Sequence, residues 1–177
     1  MGELIRLLID IAQWAFPLRA VEQWERGCYY VLGKYWKTVG PGRWPVIPYF
    51  MDVRAVSIVP GVVPVQLQTV TLRDGVALSF AASVMFRVTD AASALNKIER
   101  YEETVSEQAA GLLAERLADV DPDRFDPAYG KRDRLLKELV AELNRQTSAY
   151  GVEVMEVWMR DFAMGIKTYR LLNQTSF

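Results

Sequence analysis

The sequence predicts an α+β fold: a mainly antiparallel sheet, then helices, then a returning strand, with an amphipathic helix at the N-terminus. Three observations predict it. From Leu18 to about Val88 the chain reads as short strands separated by turn residues, with apolar residues alternating most clearly at the end of that stretch. After Val88 the apolar spacing becomes helical. Tyr150-Gly151 then closes the helical part, and a last strand, Val152–Asp161, follows. Strands first and helices later, with one strand coming back, is an α+β layout.

Residues 3–16 form the first element. On a helical wheel Gly2, Gln13, Arg6, Asp10 and Glu3 share one arc of about 100°. Leu4, Leu7, Leu8, Ile11, Trp14 and Ala15 lie opposite, extended by Ile5, Ile9 and Phe16. Pro17 ends the helix. The run is shorter than the roughly 20 apolar residues of a bilayer span and carries three charges. Its charge order does not fit a secretory signal, and no small-residue cleavage site follows. Two readings stay open. In one, the helix lies in a membrane interface, contacting lipid through Leu4, Leu7, Leu8, Ile11, Trp14 and Phe16. In the other, the same face packs on protein. The polar face has no basic excess, so attraction to anionic lipid adds little.

The body follows in order. Val21–Trp24 and Cys28–Tyr35 read as strands around a turn at Glu25-Arg26-Gly27. Gly40-Pro41-Gly42 is a tight loop. Pro45 and Pro48 mark an irregular stretch or a sheet edge. Strands follow at Asp52–Val59 and Val63–Leu72. Asp74-Gly75 is a hairpin signal of the two-residue kind. The next strand puts Val76, Leu78, Phe80, Ala82, Val84, Phe86 and Val88 on a core face, and Ala77, Ser79, Ala81, Ser83, Met85 and Arg87 on the other. Asp90 is placed to cap a short helix over Ala91–Ile98. Val105, Ala109, Leu112, Leu113 and Leu117 stripe a second helix. Leu135, Leu136, Leu139, Val140 and Leu143 stripe a third. The organisation is therefore residues 1–17 as a membrane-associating helix, 18–162 as the domain, and 163–177 as a short C-terminal tail without heptads.

Composition narrows the function. The chain has 177 residues, about half of them apolar, enough for one domain with a core. Lys plus Arg is 21 and Asp plus Glu is 22, which argues against a general nucleic-acid binder. Histidine is absent, so Ser-His-Asp triads, Cys-His pairs and His-based metal sites are excluded. Cys28 is the sole cysteine, so there is no internal disulfide and no cysteine zinc cluster. Asp119, Asp121, Asp123 and Asp126 cluster but lack the glycine and closing glutamate of an EF-hand loop. Gly40-Pro41-Gly42 is not followed by the Lys-Ser or Lys-Thr of a phosphate loop. Tyr29, Tyr30, Tyr35, Trp36 and Trp44 lie near Lys34, Lys37 and Arg43. Sheet core with a membrane-near rim accounts for them better than a single-stranded nucleic-acid face, and places Trp36 and Trp44 at headgroup level. No catalytic residue, cofactor or metal is predicted.

The order of motifs resembles the SPFH/band 7 (stomatin/prohibitin) domain. Val21-Glu22-Gln23-Trp24-Glu25-Arg26-Gly27 resembles its opening strand and Glu-Arg turn, and Val31-Leu32-Gly33-Lys34 its Leu-Gly-basic segment. Gly40-Pro41-Gly42-Arg43-Trp44-Pro45-Val46-Ile47-Pro48 resembles its Gly-Pro-Gly stretch, and Thr71-Leu72-Arg73-Asp74-Gly75-Val76 its hairpin. Phe86-Arg87-Val88-Thr89-Asp90 resembles the exit into the helices. Arg132-Asp133, Tyr150-Gly151-Val152-Glu153-Val154 and Arg160-Asp161 resemble the closing helix and strand. The resemblance implies a non-enzymatic scaffold on a membrane surface, peripheral, self-associating and expected on the cytoplasmic side. The alternative is a soluble structural or assembly protein that uses the same domain to oligomerise without lipid. It implies as partners the lipid surface, membrane proteins or a membrane protease, and further copies of the chain. With no heptads in 163–177, the homo-oligomer is expected to be small or weak without lipid.

Overall fold

The structure, a computed structural model, describes residues 18–72, 75–119 and 131–165, together with Glu3 and Arg6. The strands are β1 (Leu18–Val21), β2 (Glu25–Val31), β3 (Lys34–Val39), β4 (Gly42–Pro45), β5 (Met51–Ser57), β6 (Gly61–Thr71), β7 (Ala77–Val88) and β8 (Val152–Gly165). Among the described residues the helices between β7 and β8 are α1 (Ala91–Asn96), α2 (Tyr101–Ala118) and α3 (Lys131–Thr147), followed by a 3₁₀ turn at Ser148–Tyr150. Among the described residues three sheets result, with strand orders β1-β4, β3-β2-β5 and β6-β7-β8. The β1–β4, β2–β3, β2–β5 and β6–β7 pairs are antiparallel. This is the α+β class read from the sequence. The described residues form two compact units, one of residues 18–60 with 87–99, the other of 61–86 with 100–165.

In the first unit β2 is central, paired on both sides. Val21, Tyr29, Val39 and Val53 form its buried cluster, with Val31, Trp44, Val46 and Met51 packed against them. The sequence places a turn at Glu25-Arg26-Gly27. The structure puts these residues inside β2, and the chain turns one step earlier, where the Glu25 N–H donates to the Glu22 carbonyl at 3.0 Å. A Cβ on Gly27 would lie 2.8 Å from Val39 Cγ2, 3.0 Å from Val21 Cγ2 and 3.2 Å from Val53 Cγ1. Gly27 is thus required by close packing rather than by a bend. The single strand expected over Cys28–Tyr35 is two. Val31 pairs with Lys34, leaving Leu32 (φ 51°) and Gly33 (φ 76°) as a two-residue turn with both residues left-handed. Leu-Gly lacks the Asn or Asp that usually announces such a turn. The helix over 91–98 stops at Asn96. Asp90 caps it, accepting from the Ala92 N–H at 3.0 Å. Its carboxyl is held below the usual aspartate range, first by the hydrogen bond from the Ser93 side chain.

In the second unit the period-two pattern of β7 decides its faces. Leu78, Phe80, Ala82 and Val84 are wholly buried and Phe86 nearly so. α2 packs on β6, α3 on β8, and the two helices touch. Val105, Ala109, Leu113 and Leu117 are the buried stripe of α2, and Leu139 and Leu143 are buried on α3. Ser106 Oγ donates to the Pro64 carbonyl at 2.9 Å. Gly151 (φ 72°) ends the helical run in the left-handed conformation that releases the chain into β8. Asn144 on α3 then meets β8 through both its amide atoms. Its Nδ2 donates to the Val154 carbonyl at 2.8 Å, and its Oδ1 accepts from the Val154 N–H at 2.7 Å.

The loop between β6 and β7 differs from the two-residue turn expected. The Leu72 N–H donates to the Val76 carbonyl at 2.9 Å and the Gly75 N–H to the Leu72 carbonyl at 3.0 Å, so three residues separate the closing pair. Gly75 has φ +82° and open space where a Cβ would stand, while Asp74 lies outside the described residues. Gly75→Val therefore meets backbone strain without a clash at its Cβ. It is expected to cost about 1–3 kcal/mol, read as a lower midpoint in urea unfolding. An unchanged midpoint would mean that the turn rearranges freely.

Candidate functional site

The exposed large apolar side chains gather in the first unit, at Leu18, Trp24, Leu32, Tyr35, Trp36, Tyr49, Phe50 and Val59. Among these, β3 presents an aromatic and basic rim. Its anchor is Tyr29 on β2, buried in the cluster of valines. The Tyr29 hydroxyl donates to the Pro45 carbonyl and lies 3.3 Å from Met51 Sδ. Its ring meets Trp36 edge-to-face at 5.7 Å and Trp44 at 6.5 Å between centroids. Trp44 on β4 is fixed by its Nε1–H, which donates to the Gly40 carbonyl at 3.0 Å. That bond depends on the Gly40-Pro41-Gly42 loop, where Gly42 has φ +145°, a conformation that suits glycine. Lys37 completes the rim. Its Nζ lies 4.5 Å from the Trp36 ring centre and 5.3 Å from that of Trp44.

The rim is thus two indoles with one ammonium over them, one indole mostly in solvent and the other half-buried. Such a group combines apolar area, an N–H donor and a cation, the combination suited to a membrane–water boundary. Beside it Tyr30 donates its hydroxyl to Asn96 Oδ1 at 2.8 Å and lies under the Arg54 guanidinium, 5.3 Å away. Burial is the main reason its phenol titrates above the ordinary tyrosine range. Cys28 is wholly buried. Burial pushes its thiol up as well, only partly opposed by a hydrogen bond from Thr38, so the sulfur stays a neutral packing group.

Of the membrane-contacting residues expected at the N-terminus, Leu4, Leu7, Leu8, Ile11, Trp14 and Phe16 lie outside the described residues. Glu3 and Arg6, from the opposite arc of the wheel, are helical and exposed. Of the aspartate cluster only Asp119 is described, and among the described residues no group of three or more acidic, cysteine or histidine side chains is placed to hold a metal. Among the described residues no helix is long and apolar enough to cross a membrane. Sequence reasoning missed Leu32, Tyr49 and Phe50. The signal for Leu32 was the Gly33 beside it.

Comparison with known proteins bears on descent. A family model described as "SPFH domain / Band 7 family" matches residues 19–169. An uncharacterized protein of Archaeoglobus fulgidus is 25% identical over 95% of this chain and 67% of its own length. A stomatin homolog of Pyrococcus horikoshii is 26% identical over 89% of this chain and 58% of its own. Stomatin-4 of Caenorhabditis elegans is 26% identical over 89% of this chain and 56% of its own. The chain therefore spans between about half and two thirds of the length of these relatives. The match runs from β1 through β8, the whole of the described fold, and on it the chain belongs to the SPFH domain / Band 7 family.

Proposed function

We propose that this chain is a non-enzymatic, membrane-associated scaffold that self-associates and organises or regulates partner membrane proteins. The observation that carries the reading is the rim of Trp36, Lys37 and Trp44, which holds aromatic surface and a cation together in solvent. Membership of a family with stomatin homologs supports it. The absence of histidine supports the non-enzymatic part, since it removes the commonest general base. In this reading the protein sits peripherally on the cytoplasmic side of its membrane, with residues 1–17 as one attachment and membrane proteins or a membrane protease as partners.

Liposome co-flotation tests the attachment. Leu8→Asp places a charge at the centre of the apolar arc of residues 3–16 and is expected to release most of the protein while its unfolding midpoint stays unchanged. A variant that unfolds would show the arc packed on protein. Assembly is tested by analytical ultracentrifugation with and without nanodiscs. A monomer or small oligomer is expected without lipid, and larger species where membrane attachment raises the local concentration. A stable many-subunit ring in lipid-free buffer would overturn that expectation.

A further inference from the structure

We propose that the turns joining β2 to β3 and β4 to β5 form a second membrane-contacting element, one that inserts Leu32, Tyr49 and Phe50 into the boundary between headgroups and acyl chains. The proposal rests on the membrane reading above and adds a contact that belongs to the folded domain itself.

The first ground is backbone conformation. Among the described residues two non-glycines have positive φ, Leu32 at 51° and Tyr49 at 69°. Both are large and substantially apolar, and both are exposed, Leu32 by 69% and Tyr49 completely. Turn positions of this kind normally go to Gly, Asn or Asp, which tolerate them better and prefer water. Leucine and tyrosine are unfavourable there twice, in backbone strain and in hydrated apolar area. Among the described residues no contact recovers the second cost, since the side chains stand in solvent. Transfer out of water does.

The second ground is that the two turns are tied together. The Leu32 N–H donates to the Phe50 carbonyl at 2.7 Å, and the Phe50 and Met51 N–H groups donate to the Ile47 carbonyl at 3.2 and 2.9 Å. Leu32, Tyr49 and Phe50, itself 57% exposed, therefore act as one tip. These backbone pairings matter because an unpaired peptide group is costly to carry into lipid.

The third ground is charge. Lys34 follows the tip directly and lines a shallow apolar depression with Val31, Tyr35, Trp36 and Met51, while Lys37 lies over Trp36. Asp52 and Arg54 pair with each other at 3.2 Å, so their charges offset. A convex apolar tip backed by aromatic rings and ammonium groups suits anionic headgroups above acyl chains. Full exposure of Tyr49 means that it projects, and a fluid bilayer accepts a projection without a preformed pocket.

The test uses the full chain and vesicles of equimolar phosphatidylcholine and phosphatidylglycerol. Leu32→Asn with Tyr49→Asn relieves the left-handed strain and removes the apolar tip. The pair is expected to keep or raise the thermal midpoint and to lower vesicle partitioning at least about tenfold. Gain of stability with loss of binding is an outcome that a purely structural role would not produce. A fluorophore on Tyr49→Cys is expected to be quenched by lipids carrying spin labels in the upper acyl chain. If wild type partitions and the Asn pair partitions equally, the inference is overturned while the membrane reading stands. If wild type does not partition at all, both fall. If the Asn pair changes sedimentation in lipid-free buffer with vesicle binding intact, the tip is a contact between copies and the lipid assignment is overturned.

Discussion

Gly27→Ala is expected to destabilise the first unit by about 1–3 kcal/mol, although it adds a single methyl group. The added carbon would meet methyl groups of Val39, Val21 and Val53 at 2.8–3.2 Å. All three valines are buried, and β-branched side chains have few rotamers in which to yield. They come from three different strands, β3, β1 and β5, so relief at one tightens another. Gly27→Val should cost more than Gly27→Ala, because its two further methyls enter the same space. Urea unfolding of the two variants decides it. Equal midpoints for wild type and Gly27→Ala would mean that the valine cluster has slack. A second measurement locates the effect: Gly27→Ala with Val39→Ala should recover part of the loss, since the closest contact belongs to Val39.

Asn144→Ala is expected to cost about 1–3 kcal/mol for each polar group of Val154 that it strands. The Asn144 amide gives the Val154 peptide both a donor and an acceptor, at 2.8 and 2.7 Å. It serves β8 in the way that a neighbouring strand would. Alanine supplies neither atom, and the site is partly buried, so water replaces them incompletely. Asn144→Asp separates the two bonds. An ionised carboxylate still accepts from the Val154 N–H but repels the Val154 carbonyl, whereas a protonated one restores both. The folded state would therefore raise the new carboxyl's pKa. The resulting stability is fully present below its unfolded value, about 3.9, and is lost as pH rises through the higher folded value. Asn144→Asp should thus approach wild type near pH 4 and fall toward Asn144→Ala at pH 7. Identical pH profiles for the two substitutions would mean that the carboxyl never makes the second bond.

The sequence alone determined what local patterning can determine. The α+β class follows from the change of period after Val88, and the buried face of β7 from strict alternation through Leu78, Phe80, Ala82 and Val84. The stripes of α2 and α3 follow from residues three and four apart. The Asp90 cap and the left-handed Gly151 follow from chemistry confined to a few neighbouring residues. Each of these is decided within one element, where side-chain period and backbone conformation are coupled.

Only the tertiary structure decided the rest. Gly27 looks like a turn residue until Val21, Val39 and Val53 converge on it. Leu32-Gly33 becomes a turn because Val31 and Lys34 pair across it and the Leu32 N–H finds the Phe50 carbonyl, 18 positions along the chain. Asn144 belongs by pattern to a helix surface, yet it completes a strand ten residues later. Lys37 and Trp44 look like separate surface residues until the β1–β4 and β2–β3 pairings place the ammonium over the ring. The reason is the same in each case. Periodicity reports which face of an element avoids water, whereas pairing partners, close approach and exposed clusters are relations between segments distant in sequence, settled only when the chain has folded.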